Sequence, residues 1–263
     1  MSLLAALLTA GVLRLTFRTL AGGWRGPARR IDLRPSGAAW MIGGLSVLLA
    51  IYFFGPLAGL ALVIVVVVHE YGHVAAFRVA GHGDATFRLI PLLGGVAISK
   101  RQPRSQVHDA YITLMGPGLC LSMVAVAYLV QLRIAEPHVR ALAWAVGFFG
   151  SVVNLFNLLP IFPLDGGRLA YLALYPLSPR LARRVLQGIA LALAAYGLLS
   201  MSLVVSILGL LSFAALSGQG RLVADPTPLS PAQLLVTLAA WAAMAAAFAI
   251  GANLSDLVAA MRA

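Results

Sequence analysis

The stretch Val63-Ile64-Val65-Val66-Val67-Val68-His69-Glu70-Tyr71-Gly72-His73-Val74-Ala75-Ala76-Phe77-Arg78 places His69, Glu70 and His73 inside an apolar run that ends at Arg78. On a helix, residues four apart share a face and lie about 6 Å apart along the axis. The imidazoles of His69 and His73 can therefore converge on one metal ion with Glu70 beside it. This is the H-E-x-x-H pattern of zinc hydrolases, in which the glutamate is the general base. In a chain with five histidines, chance supplies it with a probability of roughly 0.0007. Ionisable groups within a membrane span are costly and are kept for function. With Arg78 at the interface, His73 lies about 8 Å and His69 about 14 Å into the bilayer.

That a bilayer is the solvent follows from composition. The 263 residues are 61% hydrophobic and 10% charged, whereas soluble chains run near about 45–50% apolar and about 25% charged. The net charge of +11 would suggest nucleic acid in a soluble chain, but here the arginines cluster between apolar runs. That is a topology signal, and no nucleic-acid partner is expected. Most basic residues fall on the N-terminal side if that side is cytoplasmic, as they do in an inner-membrane protein of a bacterium. Cys120, the single cysteine, has no thiol to pair with and reads as core.

Apolar runs predict spans at 38–55, 57–78, 110–132, 139–159 and 232–252, with 185–216 forming one tilted helix or two short ones. Residues 3–13 are too few to span and read as an interfacial helix, with Arg14 and Arg18 on one face, leading into a basic linker at 24–34. The expected fold is an all-α polytopic membrane protein of about six transmembrane helices. Its parts are an N-terminal helix and linker (1–36), a catalytic transmembrane core (37–184) and C-terminal transmembrane helices (185–263). Between the second and third spans, residues 86–90 and 96–99 flank Pro91-Leu92-Leu93-Gly94-Gly95 and read as a short membrane-associated β-hairpin. Its alternative is an ordinary interfacial loop.

Zinc needs a third protein ligand and an open position. Most other acidic residues lie in loops or near helix ends; Asp165 ends the run Asn154-Leu155-Phe156-Asn157-Leu158-Leu159-Pro160-Ile161-Phe162-Pro163-Leu164-Asp165-Gly166-Gly167-Arg168. Pro160 and Pro163 break the helix and leave backbone carbonyls that membrane depth tolerates only beside protein or a polar cavity. Spacing alone leaves Asp165 as either a ligand or the capping residue of a helix-ending turn. His82, His108 and His138 read as solvated, and Gly43, Gly44, Gly147 and Gly150 as helix-packing positions.

Together, His69-Glu70-x-x-His73 and the later Asn157-x-x-Pro160-x-x-Pro163-x-Asp165-Gly166 resemble the site-2 protease family of intramembrane zinc metalloproteases, as does Gly116-Pro117 between them. The resemblance covers about residues 57–168. It implies one Zn2+ per chain on His69, His73 and Asp165, Glu70 as general base, and Asn157 positioning substrate. It also implies a membrane-anchored protein as substrate, with Gly94, Gly95 and Val96 offering a strand edge for it. The 26 residues of 81–106 leave no room for a PDZ-like domain, so the chain resembles a compact form of the family. Two other classes use intramembrane ligands or bind membrane partners: a metal transporter and a catalytically silent relative. A transporter needs no glutamate at the second motif position, and the intact His69, Glu70, His73 and Asp165 argue against a silent relative.

Overall fold

Glycine and proline set the helix boundaries on which the site depends. The computed structural model describes residues 10–11, 13–19, 37–90, 94–99, 102–218, 222 and 227–260, with backbone alone for 37–40, 87–90, 94, 98 and 254–260. The basic linker at 24–34 and the turn at 91–93 lie outside the described residues. A helical stretch at 13–19 precedes α1 (Gly37–Phe54) and α2 (Pro56–Val79). Gly55 joins these two helices at φ 82, a conformation that glycine adopts without strain, and Pro56 starts α2 with the φ a first turn needs. At the far end the chain leaves α2 through Gly81 at φ 92. There the Gly81 N–H donates to the Arg78 carbonyl and the His82 N–H to the Phe77 carbonyl, the Schellman pattern. The His82 ring packs edge-on to Phe77 and is 2% exposed, so this histidine is buried rather than solvated.

Strands β1 (Thr86–Ile90) and β2 (Gly94–Ile98) pair antiparallel, with Thr86 opposite Ile98 and Ile90 opposite Gly94. The chain continues through α3 (Gln106–Arg133), α4 (Pro137–Asn157), α5 (Asp165–Leu174), α6 (Pro179–Leu199), α7 (Leu203–Ser217) and α8 (Pro231–Ala260). Among the described residues, five helices are long and apolar enough to cross a membrane: α2, α3, α4, α6 and Pro231–Asn253 of α8. The apolar parts of α1 (Met41–Phe54) and α7 are shorter. Large apolar side chains such as Leu48, Tyr52, Leu235 and Val236 are exposed, while Gln131, Ser151 and Asn154 are buried. That inversion suits an integral membrane protein.

The chain divides into two compact units. The first holds residues 1–102, 114–155 and 242–263. Here α2 meets α3 so closely that a Cβ at Gly72 would overlap the Met115 carbonyl. Ala61, Ala127, Ala145 and Val146 form a small-residue core among α2, α3 and α4. The N-terminal helix docks on α3 through two buried threonines: Thr16 Oγ1 donates to the Gly118 carbonyl at 3.0 Å and Thr19 Oγ1 to Met115 Sδ at 3.2 Å. Arg14 and Arg18 are exposed.

The second unit holds 103–113 and 156–241. The apolar stretch 185–216 resolves here into α6 and α7. Gly197 lies against the backbone of Ser206, and a Cβ on Gly209 would stand 2.5 Å from the Ala194 nitrogen. The turn between them repeats the Schellman pattern, with Ser202 N–H donating to Gly197 O and Met201 N–H to Leu198 O, but its left-handed position is Met201 at φ 56. Met201 is 90% exposed, so nothing is packed on its side chain. Met201→Gly should therefore stabilise the protein, by up to about 1 kcal/mol, and Gly209→Leu should destabilise it by forcing α6 and α7 apart. Thermal unfolding in detergent checks both: opposite shifts in Tm are expected, and equal shifts would contradict the packing described.

Candidate metal centre

Inside the first unit, the buried face of α2 carries His69, Glu70 and His73, which are 4%, 7% and 8% exposed. The two Nε2 atoms stand 3.1 Å apart. Two nitrogens bound tetrahedrally to one zinc at 2.0–2.1 Å are separated by about 3.3 Å. The observed separation is close to that value, and two imidazole nitrogens are donors that suit zinc.

Asn154 fixes which nitrogen of His69 carries the proton. Its Oδ1 accepts from His69 Nδ1 at 2.8 Å, while its Nδ2 donates to the Gly150 carbonyl at 2.7 Å. A carbonyl needs a donor, so the Gly150 contact sets the amide's orientation. An amide oxygen can only accept, so the His69 proton sits on Nδ1 and its Nε2, which faces His73 Nε2, carries the lone pair. Asn154 is fully buried, and it comes from α4, 85 residues away along the chain. Sequence reasoning assigned it no role; the signal available was a second amide, one helical turn before Asn157, within an apolar span.

Glycines bring backbone against the other two groups. Gly116 of α3 lies on the ring of His73, where a Cβ would overlap the imidazole, and Gly95 of β2 lies on the side chain of Glu70. The contact at Gly72 keeps α2 and α3 close at the same level. Of the residues expected to offer a strand edge, Gly95 is therefore beside Glu70 and Val96 is exposed.

Asp165 and Asn157 belong to the second unit. Asn157 is the last residue of α4 and is half-buried. Asp165 opens α5, where the helix dipole favours a carboxylate. The two glycines after it are required: a Cβ at Gly166 would overlap the Leu158 and Leu159 carbonyls, and one at Gly167 the backbone of Ile161 and Phe162. The proline-rich turn is closed by Leu164 N–H donating to the Ile161 carbonyl, and Trp241 Nε1 donates to the Leu158 carbonyl at 2.9 Å. A carbonyl freed by the helix break thus finds a protein donor. Asp109 is 3% exposed in the first turn of α3, and its Oδ1 accepts from Arg168 Nε at 2.6 Å.

No protein-family model matches the chain. Over 187 residues it is 27% identical to a zinc metalloprotease of Methanocaldococcus jannaschii, covering 68% of this chain and 54% of that protein. It is 28% identical over 114 residues to stage IV sporulation protein FB of Bacillus subtilis, covering 43% of this chain and 38% of that one. Among solved structures it is similar to the site-2 protease from Methanocaldococcus jannaschii, at 25% identity over 73% of this chain and 93% of that one, with a TM-score of 0.46. In sequence the chain is thus similar to proteins named as zinc metalloproteases. It spans about half the length of the first of these curated relatives and less of the second.

If Asn154 holds His69 in its ligating tautomer, Asn154→Leu, close in volume, should lower zinc affinity by about 10–100-fold while the helices stay folded. Competition with a chelator measures this. Unchanged affinity would mean that the Asn154 contact does not hold the imidazole.

Proposed function

We propose that the protein is a zinc-dependent intramembrane endopeptidase that hydrolyses peptide bonds within or near the transmembrane segments of membrane-anchored proteins. The observation that carries this reading is the convergence of the His69 and His73 Nε2 atoms beside the buried Glu70. The donor types of the H-E-x-x-H and Asp-Gly-Gly segments, and the zinc metalloproteases among the relatives, support it further. His69, His73 and Asp165 would hold one Zn2+, leaving a position open to water and substrate. When bound, zinc supplies Lewis acidity, polarising a carbonyl and acidifying water.

The remaining steps belong to the chain's own side chains. Glu70 accepts the proton of the attacking water and returns it to the leaving amine. Burial keeps bulk water from the carboxylate, and β2 covers it at Gly95. A peptide bond within a helix is already hydrogen-bonded and shielded, so the substrate must unwind locally, and helix-weakening residues near the scissile bond favour cleavage. An extended substrate suits addition to the β2 edge at Gly94, Gly95 and Val96. Asn157 would position the peptide near the metal. The distribution of basic residues supports an N-terminus and a site opening on the cytoplasmic side.

Purified protein in detergent, mixed with single-span test substrates containing a helix-weakening pair, tests the reading. Wild type is expected to cleave; Glu70→Gln should retain about one zinc and lose at least about 100-fold in rate; Asp165→Asn should lose zinc as well. Cleavage surviving in Glu70→Gln would end the proposal, as would zinc flux into proteoliposomes without proteolysis.

A further inference from the structure

We propose that the Asp109–Arg168 ion pair is a brace that fixes the first turn of α5 and so holds the carboxylate of Asp165 in its working position. The inference rests on the reading of Asp165 as a metal ligand. Neither Asp109 nor Arg168 touches the reacting atoms on this account; both are positioning residues.

The first turn of α5 packs by its backbone on the proline-rich turn. Its N-cap, Leu164, has an apolar side chain and makes no capping hydrogen bond. Its next positions are Asp165, Gly166 and Gly167, and the two glycines, packed flush against the backbone of the proline-rich turn, have no side chains with which to grip a neighbour. If Asp165 is committed to a metal, Arg168 is the remaining side chain of the turn that can anchor it sideways. Its backbone N–H closes the turn on the Leu164 carbonyl at 3.1 Å, and its Nε reaches Asp109 Oδ1 at 2.6 Å, short enough for a charge-assisted bond.

The anchor is itself fixed. The Asp109 side chain is 4% exposed against 35% for Arg168, so Asp109 is the charge that burial would strand if the pair opened. It stands in the first turn of α3, where negative charge is favoured. The Thr113 hydroxyl donates to its carbonyl at 2.8 Å, and Ser105 Oγ accepts from the adjacent His108 N–H. Burial opposes the charge on Arg168, but the Asp109 carboxylate beside it and Asp165 in the same turn outweigh that and raise its pKa.

The test uses the full chain in detergent, with Arg168→Gln, Asp109→Asn, the double variant Asp109→Asn/Arg168→Gln, and Arg168→Lys. Zinc affinity is read by chelator competition, and hydrogen exchange of residues 165–168 is read in metal-free protein, with residues 69–73 as an internal control. The brace predicts a 10–100-fold loss of zinc affinity in each neutral single variant and faster exchange confined to 165–168. It also predicts a double variant no worse than either single, because one interaction is removed only once, and partial recovery in Arg168→Lys. In turnover, kcat should fall while KM for the substrate stays within about twofold. Should a single variant fail to fold, the double variant, which strands no charge, decides the matter. Unchanged affinity and exchange in it would overturn the proposal, as would additive losses in a complete cycle. The exchange arm also separates two failures. Faster exchange at 165–168 with unchanged zinc affinity would keep the mechanical link but remove Asp165 from the metal; unchanged exchange would remove the brace itself.

Discussion

Two imidazoles and a carboxylate within one helical turn of an otherwise apolar helix are the constraint around which the first unit is built. Such groups are costly in hydrocarbon unless they are paired, hydrogen-bonded or bound to a metal. Asn154 satisfies one imidazole nitrogen, Gly95 and Gly116 bring backbone against Glu70 and His73, and Gly72 lets α3 approach. Each contact requires a residue too small or too specific to be replaced by the aliphatic side chains that fill the rest of α2. The apolar surface faces outward and the polar groups inward, as expected where lipid replaces water.

The second unit solves a different problem, that of placing a carboxylate just past a helix break. Pro160 and Pro163 end α4, and the backbone then turns tightly enough that Gly166 and Gly167 lie on Leu158 and Ile161. Tight turns leave carbonyls without helical partners, and Trp241 provides one of the missing donors. The Asp109–Arg168 pair ties the start of α5 to the start of α3 in the same unit.

What was legible in the sequence was local. The four-residue spacing of His69 and His73 needs only helix geometry, and the residues that bound α1, α2 and α4 are visible as Gly55-Pro56, Gly81 and Pro160. Asp165 needed the family resemblance, because spacing along the chain does not say what a residue after a break will face. Contacts between distant segments were invisible: Asn154 meets His69 across 85 residues and Arg168 meets Asp109 across 59. The break between α6 and α7 has no proline or glycine at its turn, only Ser200-Met201-Ser202, so the apolar run alone does not choose between one tilted helix and two short ones. His82 was misread for a related reason: the loop position was correct, but the Schellman turn folds its ring back onto Phe77.

X-ray absorption at the zinc edge of the metal-loaded protein, wild type against His69→Ala, tests the central claim most directly. The account predicts two imidazole nitrogens at about 2.0–2.1 Å with oxygen completing the shell, and one imidazole fewer in the variant. A shell unchanged by His69→Ala, or no zinc retained by the wild type, would contradict it.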